Sequence, residues 1–190
     1  MYTFKSEQAE AEIRNYLRMH PNSKTAAKAL NGDCAAMMEL YEKLCGPKEL
    51  EEGPTDAATM ILEEAVNCKY TPALIRIARV EMCVGIEYWP DAIKTLKEAY
   101  ELGDKRALFL LQDNWENCVK DADEKYKKGE YLNRYEECVL AFYYYYGIGT
   151  PQDETMALRL FQSAAKRQCD EAREMLRNIQ SPPSVLQQGN

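Results

Sequence analysis

Two glycines at the end of an aromatic run form a candidate ligand-binding motif. Gly147 and Gly149 close the run in the stretch AFYYYYGIGTPQD, and glycine-rich loops can hold phosphate groups. A dinucleotide-binding loop, however, follows a strand and has a third glycine, and a P-loop ends in Lys-Ser or Lys-Thr. The sequence has neither feature here. The pattern instead predicts a turn in which the glycines allow positive φ, Pro151 prevents further helix and Asp153 caps the next helix.

Residues that commonly carry catalysis or bind metals are few. His20 is the single histidine, no cysteine lies at ligand spacing from it, and nothing nearby completes a nucleophilic triad. Adjacent carboxylates such as Glu63 and Glu64 diverge on a helix and indicate solvated faces. We therefore expect no enzymatic activity, no catalytic residue, no metal and no cofactor. An acid–base pair formed by carboxylates far apart in the sequence is the alternative.

Composition and charge narrow the classes of protein further. The 190 residues carry a net charge of −7, and the acidity is spread over both halves. Nucleic-acid binding needs a basic stripe, which the sequence lacks. Seven cysteines without a CxxC pair predict buried, reduced thiols. There is no signal-peptide pattern and no run of about 18 apolar residues, so we expect a cytoplasmic protein that does not contact membranes.

Helices are the elements expected to position these residues. Glycine and proline are few and separate segments of about a dozen residues, while strand-like alternation is almost absent. The first helix is expected from about Ser6 to Met19, and a second in the stretch NSKTAAKAL, ending near Asn31. Helix and turn then alternate to about residue 178, and residues 181–190 are expected to form a flexible tail.

Helices of the same pattern recur along the chain. The helices come in pairs, and the two members of a pair have different patterns. Four first helices have an alanine at the same position. In three pairs, a small residue, a large residue and an alanine lie on one face of the second helix. Small residues let two helices approach closely, and the large residue fills the gap between repeats. A period of about 36 residues with two helices per repeat is typical of an α-solenoid. The first-helix alanines are Ala36, Ala73, Ala107 and Ala172, and the second-helix sets are Ala58-Leu62-Ala65, Ala92-Leu96-Ala99 and Ala157-Phe161-Ala164.

The repeat from Glu136 to Cys169 has the most complete pattern. Its members are Leu140, Ala141, Tyr144, Gly147, Gly149, Pro151, Asp153, Ala157, Phe161, Ala164 and Ala165. This pattern resembles the Sel-one-like repeat family, a relative of the tetratricopeptide repeats. Two earlier repeats match mainly in their second helices, because Tyr41 replaces a small residue and Glu81 occupies the position of a large aromatic residue. The stretch from Cys118 to Arg134 is the most divergent.

The resemblance implies an all-α fold, namely a right-handed α-solenoid, or superhelix, of stacked antiparallel helix pairs. It also implies protein binding through the concave surface that the first helices line, with no catalytic residues. We expect an N-terminal helical pair at 1–31 and a repeat array at 32–180. The repeats are expected near 32–68, 69–102, 103–135 and 136–168, with a partial repeat at 169–180.

Five consecutive aromatic residues cannot all face one side of a helix, since successive side chains are about 100° apart. With Tyr144 in the core, as the repeat pattern requires, Phe142 and Tyr146 point to the opposite face, which is the concave one in this architecture. We expect them to be exposed in a partner-binding groove. The alternative is that these side chains pack on one another or on the N-terminal helices. The full set expected on that face is Met38, Glu42, Ile75, Arg79, Met82, Phe109, Asp113, Glu116, Tyr135, Phe142, Tyr145 and Tyr146.

The leading hypothesis is a non-enzymatic module that binds a protein partner, such as a peptide, helix or loop, in this groove. Glu42, Arg79, Asp113 and Glu116 would orient the partner. One form, suggested by the resemblance, is an inhibitor or immunity protein that blocks a basic toxin or effector. Another form is an adaptor. The alternatives are a self-associating structural scaffold and, disfavoured, an enzyme; we expect a monomer or a weak homodimer.

Overall fold

The computed structural model describes residues 2–45 and 55–180, and all regular structure in these two ranges is helical. The expected all-α class is therefore confirmed. The chain divides into two compact units, Met1–Ile77 (unit 1) and Ala78–Asn190 (unit 2). The tail expected at 181–190 lies outside the described residues.

Serine and threonine caps begin several of the helices of unit 1. Within the described residues this unit consists of α1 (Glu7–Met19), α2 (Lys24–Leu30), α3 (Cys34–Cys45), α4 (Asp56–Asn67) and the first part of α5 (Thr71–Val84). The side chains of Ser6, Ser23 and Thr55 each accept a hydrogen bond from the backbone N–H three residues further on. α2 and α4 both pack on α1 and on α3, which closes the core of the unit.

Unit 2 continues the alternation of helix and turn. Within the described residues it consists of the rest of α5, a 3-10 turn (Ile86–Tyr88), α6 (Trp89–Glu101), α7 (Lys105–Asn114), a π-helical turn (Trp115–Val119), α8 (Lys120–Lys127), α9 (Arg134–Tyr146), α10 (Glu154–Lys166) and α11 (Asp170–Gln180). α6 packs on α7, α9 on α10, and α10 on α11. α9 also contacts α6, α8 and the π-helical turn, so it is the most surrounded helix of the unit.

The residues of the repeated sequence pattern are buried. Every member of the three second-helix sets is at most 2% exposed, and the four first-helix alanines are at most 5% exposed. Burying a leucine or phenylalanine side chain contributes about 2 kcal/mol, and alanine at the flanking positions allows the close approach that makes this burial possible. The pattern therefore identifies the contact faces of these helices correctly.

The predicted turn after α9 is confirmed. Gly147 (φ +65°) and Gly149 (φ +70°) both adopt the left-handed conformation. Asp153 caps α10 by accepting a hydrogen bond from a backbone N–H of its first turn, and the N–H of Asp153 donates to the carbonyl of Tyr144 at 3.0 Å. A Cβ atom at Gly149 would collide with the ring of Trp115. Glycine is therefore required there both for its backbone conformation and for close contact.

The most divergent part of the sequence follows a continuous helical course. α7, the π-helical turn and α8 succeed one another from Lys105 to Lys127 with no intervening turn. The helix ends at Lys127, and the chain then turns at Gly129, whose φ is +74°. This segment places Asp123 of α8, a buried carboxylate, against α9.

A second buried carboxylate holds the N-terminal residues of unit 1. Glu64 on α4 is fully buried and accepts hydrogen bonds from the Tyr2 hydroxyl (2.9 Å) and from the backbone N–H groups of Lys5 (2.9 Å) and Ser6 (3.0 Å). The expectation that Glu64 lies on a solvated face is therefore wrong. Its donors lie 58 to 62 positions earlier in the chain, so no local pattern indicates them.

Glu64→Ala removes the acceptor of these three hydrogen bonds from the interior of unit 1. Since hydrogen bonds to a charged group are stronger than neutral ones, we expect the free energy of unfolding to fall by about 3 kcal/mol. Glu63→Ala, at the exposed neighbouring position, should change it by less than about 0.5 kcal/mol. Urea unfolding followed by circular dichroism measures both values, and equal losses would contradict the structural role of Glu64.

Gly149→Ala should destabilise unit 2 more than Gly129→Ala, although the two glycines have nearly the same φ. A Cβ atom at Gly129 meets nothing within 4 Å, so only the backbone cost of about 1 kcal/mol applies. At Gly149 the collision with Trp115 adds an overpacking term, for a total loss of about 3 kcal/mol. The same unfolding measurement compares them, and a loss at Gly129 as large as that at Gly149 would show that the contact with Trp115 contributes nothing.

Candidate partner-binding surface

The twelve residues expected in a groove divide between the two compact units. Met38, Glu42 and Ile75 belong to unit 1, and the other nine belong to unit 2. Met38 is buried with 9% exposure in the core of unit 1, so its expected place on an open face is wrong. The reason is that α3 packs on both α2 and α4 rather than on a single partner. Glu42 is exposed and Ile75 is half-buried.

Phe142 is fully buried, so its expected exposure is also wrong. Its ring meets Phe161 of α10 edge-on at 5.0 Å and stacks with Tyr146 at 5.9 Å between centroids. The Lys94 ammonium group of α6 lies 5.8 Å from the centroid of the same ring. Because α9 is packed by α6 as well as by α10, all of residues 138–144 are buried. The one-sided core assumed for this helix is therefore incorrect.

Tyr144 is buried, as expected for a core position, and its hydroxyl reaches a buried carboxylate. It donates a hydrogen bond of 2.6 Å to Oδ1 of Asp123, whose Oδ2 accepts one of 2.6 Å from the Lys127 ammonium group. Burial, reinforced by the hydrogen bond to Asp123, raises the pKa of Tyr144 to about 12. The hydroxyl therefore remains a donor at neutral pH, and the three side chains join α8 to α9.

Tyr145 and Tyr146, at the end of α9, are half-buried and contact each other. Their rings form a T-shaped pair with centroids 5.2 Å apart, and the Lys97 ammonium group of α6 lies 5.5 Å from the Tyr146 centroid and 6.0 Å from that of Tyr100. Burial raises the pKa of Tyr146. Much of the aromatic surface is thus packed within unit 2, partly as in the alternative in which these side chains pack on one another, and partly on α6 and α10.

The outer face of α7 and of the π-helical turn that continues it, which we call the α7 face, keeps three of the expected residues exposed. Phe109 is 68% exposed, and Asp113 and Glu116 are exposed on the same side, at helical spacings of four and three. Ala107 and Leu111 of the same helix are fully buried on the other side. An exposed phenylalanine ring beside two carboxylates can contact a partner that offers both apolar surface and positive charge.

The remaining expected residues of unit 2 are less open. Arg79 is exposed, whereas Met82 is half-buried and its sulfur accepts a hydrogen bond of 3.1 Å from the Asn114 side chain. Tyr135 is half-buried, with the Arg134 guanidinium group 4.7 Å from its ring centroid. Of the expected residues in unit 2, the structure therefore places only the α7 set together on an open face.

Glu81 lies on α5 and was not predicted to be a functional residue. Its only signal in the sequence is that it occupies a position that is aromatic in the repeat pattern. Its Oε2 is buried without a hydrogen-bond partner among the described residues. Burial, with a smaller contribution from the negative charge of Asp91, raises the pKa of Glu81 to about 7. Lys94 pairs instead with Asp91 at 3.0 Å and with Glu174 at 3.2 Å. Part of the Glu81 population is therefore protonated at neutral pH.

A metal site would need several His, Cys, Asp or Glu side chains close together. In the described ranges, no group of three or more His, Cys, Asp or Glu side chains could hold a metal ion. Of the seven cysteines, only Cys138 and Cys169 are buried, so the expected burial is wrong for the exposed Cys83 and Cys118. None of the described helices is both long enough and apolar enough to cross a bilayer.

The chain is similar to a protein of solved structure, a protective antigen present in uropathogenic Escherichia coli strains that displays an SLR fold. The two sequences are 18% identical, the match covers 90% of this chain and 41% of the antigen chain, and the TM-score is 0.41. The chain thus spans about two fifths of the length of that protein. No protein-family model and no curated protein matches the chain.

Glu81→Gln removes a carboxyl group whose pKa is raised in the folded state. Between the ordinary value of 4.5 and about 7, the folded wild type holds a proton that the unfolded chain releases, so its stability falls as pH rises through this window. Glutamine stays neutral. We therefore expect the variant to melt about 3 °C above the wild type at pH values above this window, and at the same temperature below it.

Thermal melts at a series of pH values measure this effect. Glu87→Gln, at an exposed position six residues further on, is the matched control and should follow the wild type throughout. A constant difference between Glu81→Gln and the wild type at every pH would show that titration of Glu81 is not its cause.

Proposed function

We propose that the chain is a non-enzymatic protein-binding module and that the outer face of α7 contacts the partner. The observation that carries this proposal is the 68% exposure of Phe109 on a helix whose other side is buried. An exposed phenylalanine side chain lacks the stabilisation of about 2 kcal/mol that burial gives. A partner that covers the ring provides this stabilisation on binding. Large exposed aromatic side chains are the usual anchors of protein interfaces.

Asp113 and Glu116, on the C-terminal side of Phe109, can pair with basic groups of a partner. Asp113 accepts a hydrogen bond of 2.9 Å from the Asn117 side chain, and Glu116 pairs with Lys120 at 3.0 Å. Exposed pairs of this kind contribute little to stability, so their exchange for lysine or arginine side chains of a partner costs little. The net charge of −7 also favours fast association with a positively charged protein.

Two roles fit such a module. As an inhibitor or immunity protein, the chain would cover the active surface of a basic toxin or effector. As an adaptor, it would hold a peptide, helix or loop of its partner without blocking an activity. Either role is expected in the cytoplasm, where thiols stay reduced.

Partner capture with matched variants tests the α7 face. Proteins captured from a cell extract are identified by mass spectrometry, and each purified candidate is titrated against wild type and variants. Phe109→Ala should raise Kd by about tenfold or more, and Asp113→Lys should mainly slow association. Met19→Ala removes a side chain that is 71% exposed on α1, and it should leave Kd unchanged.

Three outcomes would overturn parts of the proposal. Full affinity in a folded Phe109→Ala variant would exclude the α7 face as the contact. A wild type that dimerises in light scattering, beside a monomeric Phe109→Ala variant, would make a second copy of the chain the partner. Equal killing by a captured toxin with and without co-expression of the chain would exclude the inhibitor role and leave the adaptor role.

A further inference from the structure

Unit 2 contains a cavity of about 190 Å³ beside the π-helical turn. The cavity opens partly to solvent, and Cys118 and Asp121 on its lining are exposed, so a small molecule can reach it. Three segments surround it: the 3-10 turn with the first residue of α6, the π-helical turn with the start of α8, and α9. Its apolar wall consists of Ile86, Trp89, Val119, Ala122 and Val139, to which Cys118 adds a thiol.

The side of the cavity formed by the π-helical turn and α8 has short side chains. In three second helices, a leucine or phenylalanine at the large position of the repeat pattern is buried and fills the space between helices. The continuous segment from α7 to α8 offers only Val119 and Ala122 to the cavity as apolar chains. The space is therefore left unfilled next to a π-helical turn, an irregularity that is frequent at functional sites.

Trp89 forms a fixed aromatic wall. Its indole Nε1–H donates a hydrogen bond of 3.1 Å to the carbonyl of Met82, which uses the only donor of the side chain. The ring is therefore held in place and has no donor left for a ligand. Its π-system can contact apolar groups and also attracts cations.

The charged groups that line the cavity are both acidic. Asp121 pairs with Lys125 on the surface, and Glu136 accepts a hydrogen bond of 2.7 Å at Oε2 from the backbone N–H of Asn133. The Asp121 and Lys125 side chains are 70% and 41% exposed, so this ion pair is weak and exchangeable. Glu136 keeps a second carboxylate oxygen that can accept a further hydrogen bond.

We infer that this cavity binds a small organic amine whose hydrocarbon part is one aromatic ring on a short chain. A cavity of about 150 Å³ can hold benzene, whereas drug-sized ligands need pockets of about 300 Å³ or more. The ring occupies the apolar wall, and the ammonium group lies at Asp121 and Glu136 in place of the Lys125 ammonium group. This site is separate from the proposed protein-binding face of α7 and does not rest on it.

Phenethylamine and the neutral 2-phenylethanol are matched probes for this site. Each is titrated at millimolar concentration into the full chain, and the NMR signal of the Trp89 indole N–H is followed. We expect a saturable shift with the amine and a Kd about tenfold lower than that for the alcohol, because only the amine pairs with the carboxylates.

Four variants locate the site. Ala122→Leu fills the cavity and should weaken binding of both probes by about tenfold or more. Asp121→Asn should bring the affinity for the amine close to that for the alcohol. Lys125→Ala removes the competing cation and should tighten amine binding. Phe109→Ala should bind both probes like the wild type, which separates this site from the α7 face.

Equal affinity of the wild type for the amine and the alcohol, or no saturable shift with either, would overturn the inference. Unchanged binding by a folded Ala122→Leu variant would place the amine outside the cavity and overturn it as well. If Ala122→Leu does not fold, Asp121→Asn decides, since that side chain is 70% exposed and its replacement leaves the packing intact.

Discussion

Along its central turns α9 meets α6, α8 and α10, so none of the residues 138–144 has a side that faces water. A helix in this position can carry polar atoms only where its neighbours supply partners. The hydroxyl of Tyr143 donates to the carbonyl of Leu111 at 3.2 Å, and that of Tyr144 donates to Asp123 at 2.6 Å. Burial raises the pKa of both tyrosines, which keeps these hydroxyls protonated. The rings of these tyrosines thus fill apolar space around the helix, and their hydroxyl groups form hydrogen bonds with neighbouring elements.

The contact faces of the helices were predictable because they follow from local periodicity. Ala92, Leu96 and Ala99 share one side of α6 whatever the rest of the chain does, and they are fully buried. The burial of Phe142 was not predictable in this way, because it depends on how many helices surround α9. The same helical register correctly gave Phe109 an exposed position, since α7 keeps one side open.

The burial of certain carboxylates could not be predicted from local sequence patterns. Glu64 and the exposed Glu63 are neighbours of one residue type, and only the distant N-terminal donors separate their roles. Asp123 has a partner on its own helix, Lys127, and another on α9. Glu81 stood out from the sequence as a mismatch with a repeat pattern. Its raised pKa, however, follows from a tertiary environment that no spacing encodes.

A π-helical turn contains one residue more than an α-helical turn of similar length. Because successive residues of an α-helix are about 100° apart, the side chains of α8 stand one position out of register with those of α7. The helix from α7 to α8 is also unbroken, so residues 118–127 lack the turn that follows the first helix of the repeat at 136–168. Deletion of one residue from Trp115–Val119 would restore α-helical register across the junction. It would also rotate Asp123 by about 100° away from Tyr144, which leaves a buried hydroxyl without its acceptor.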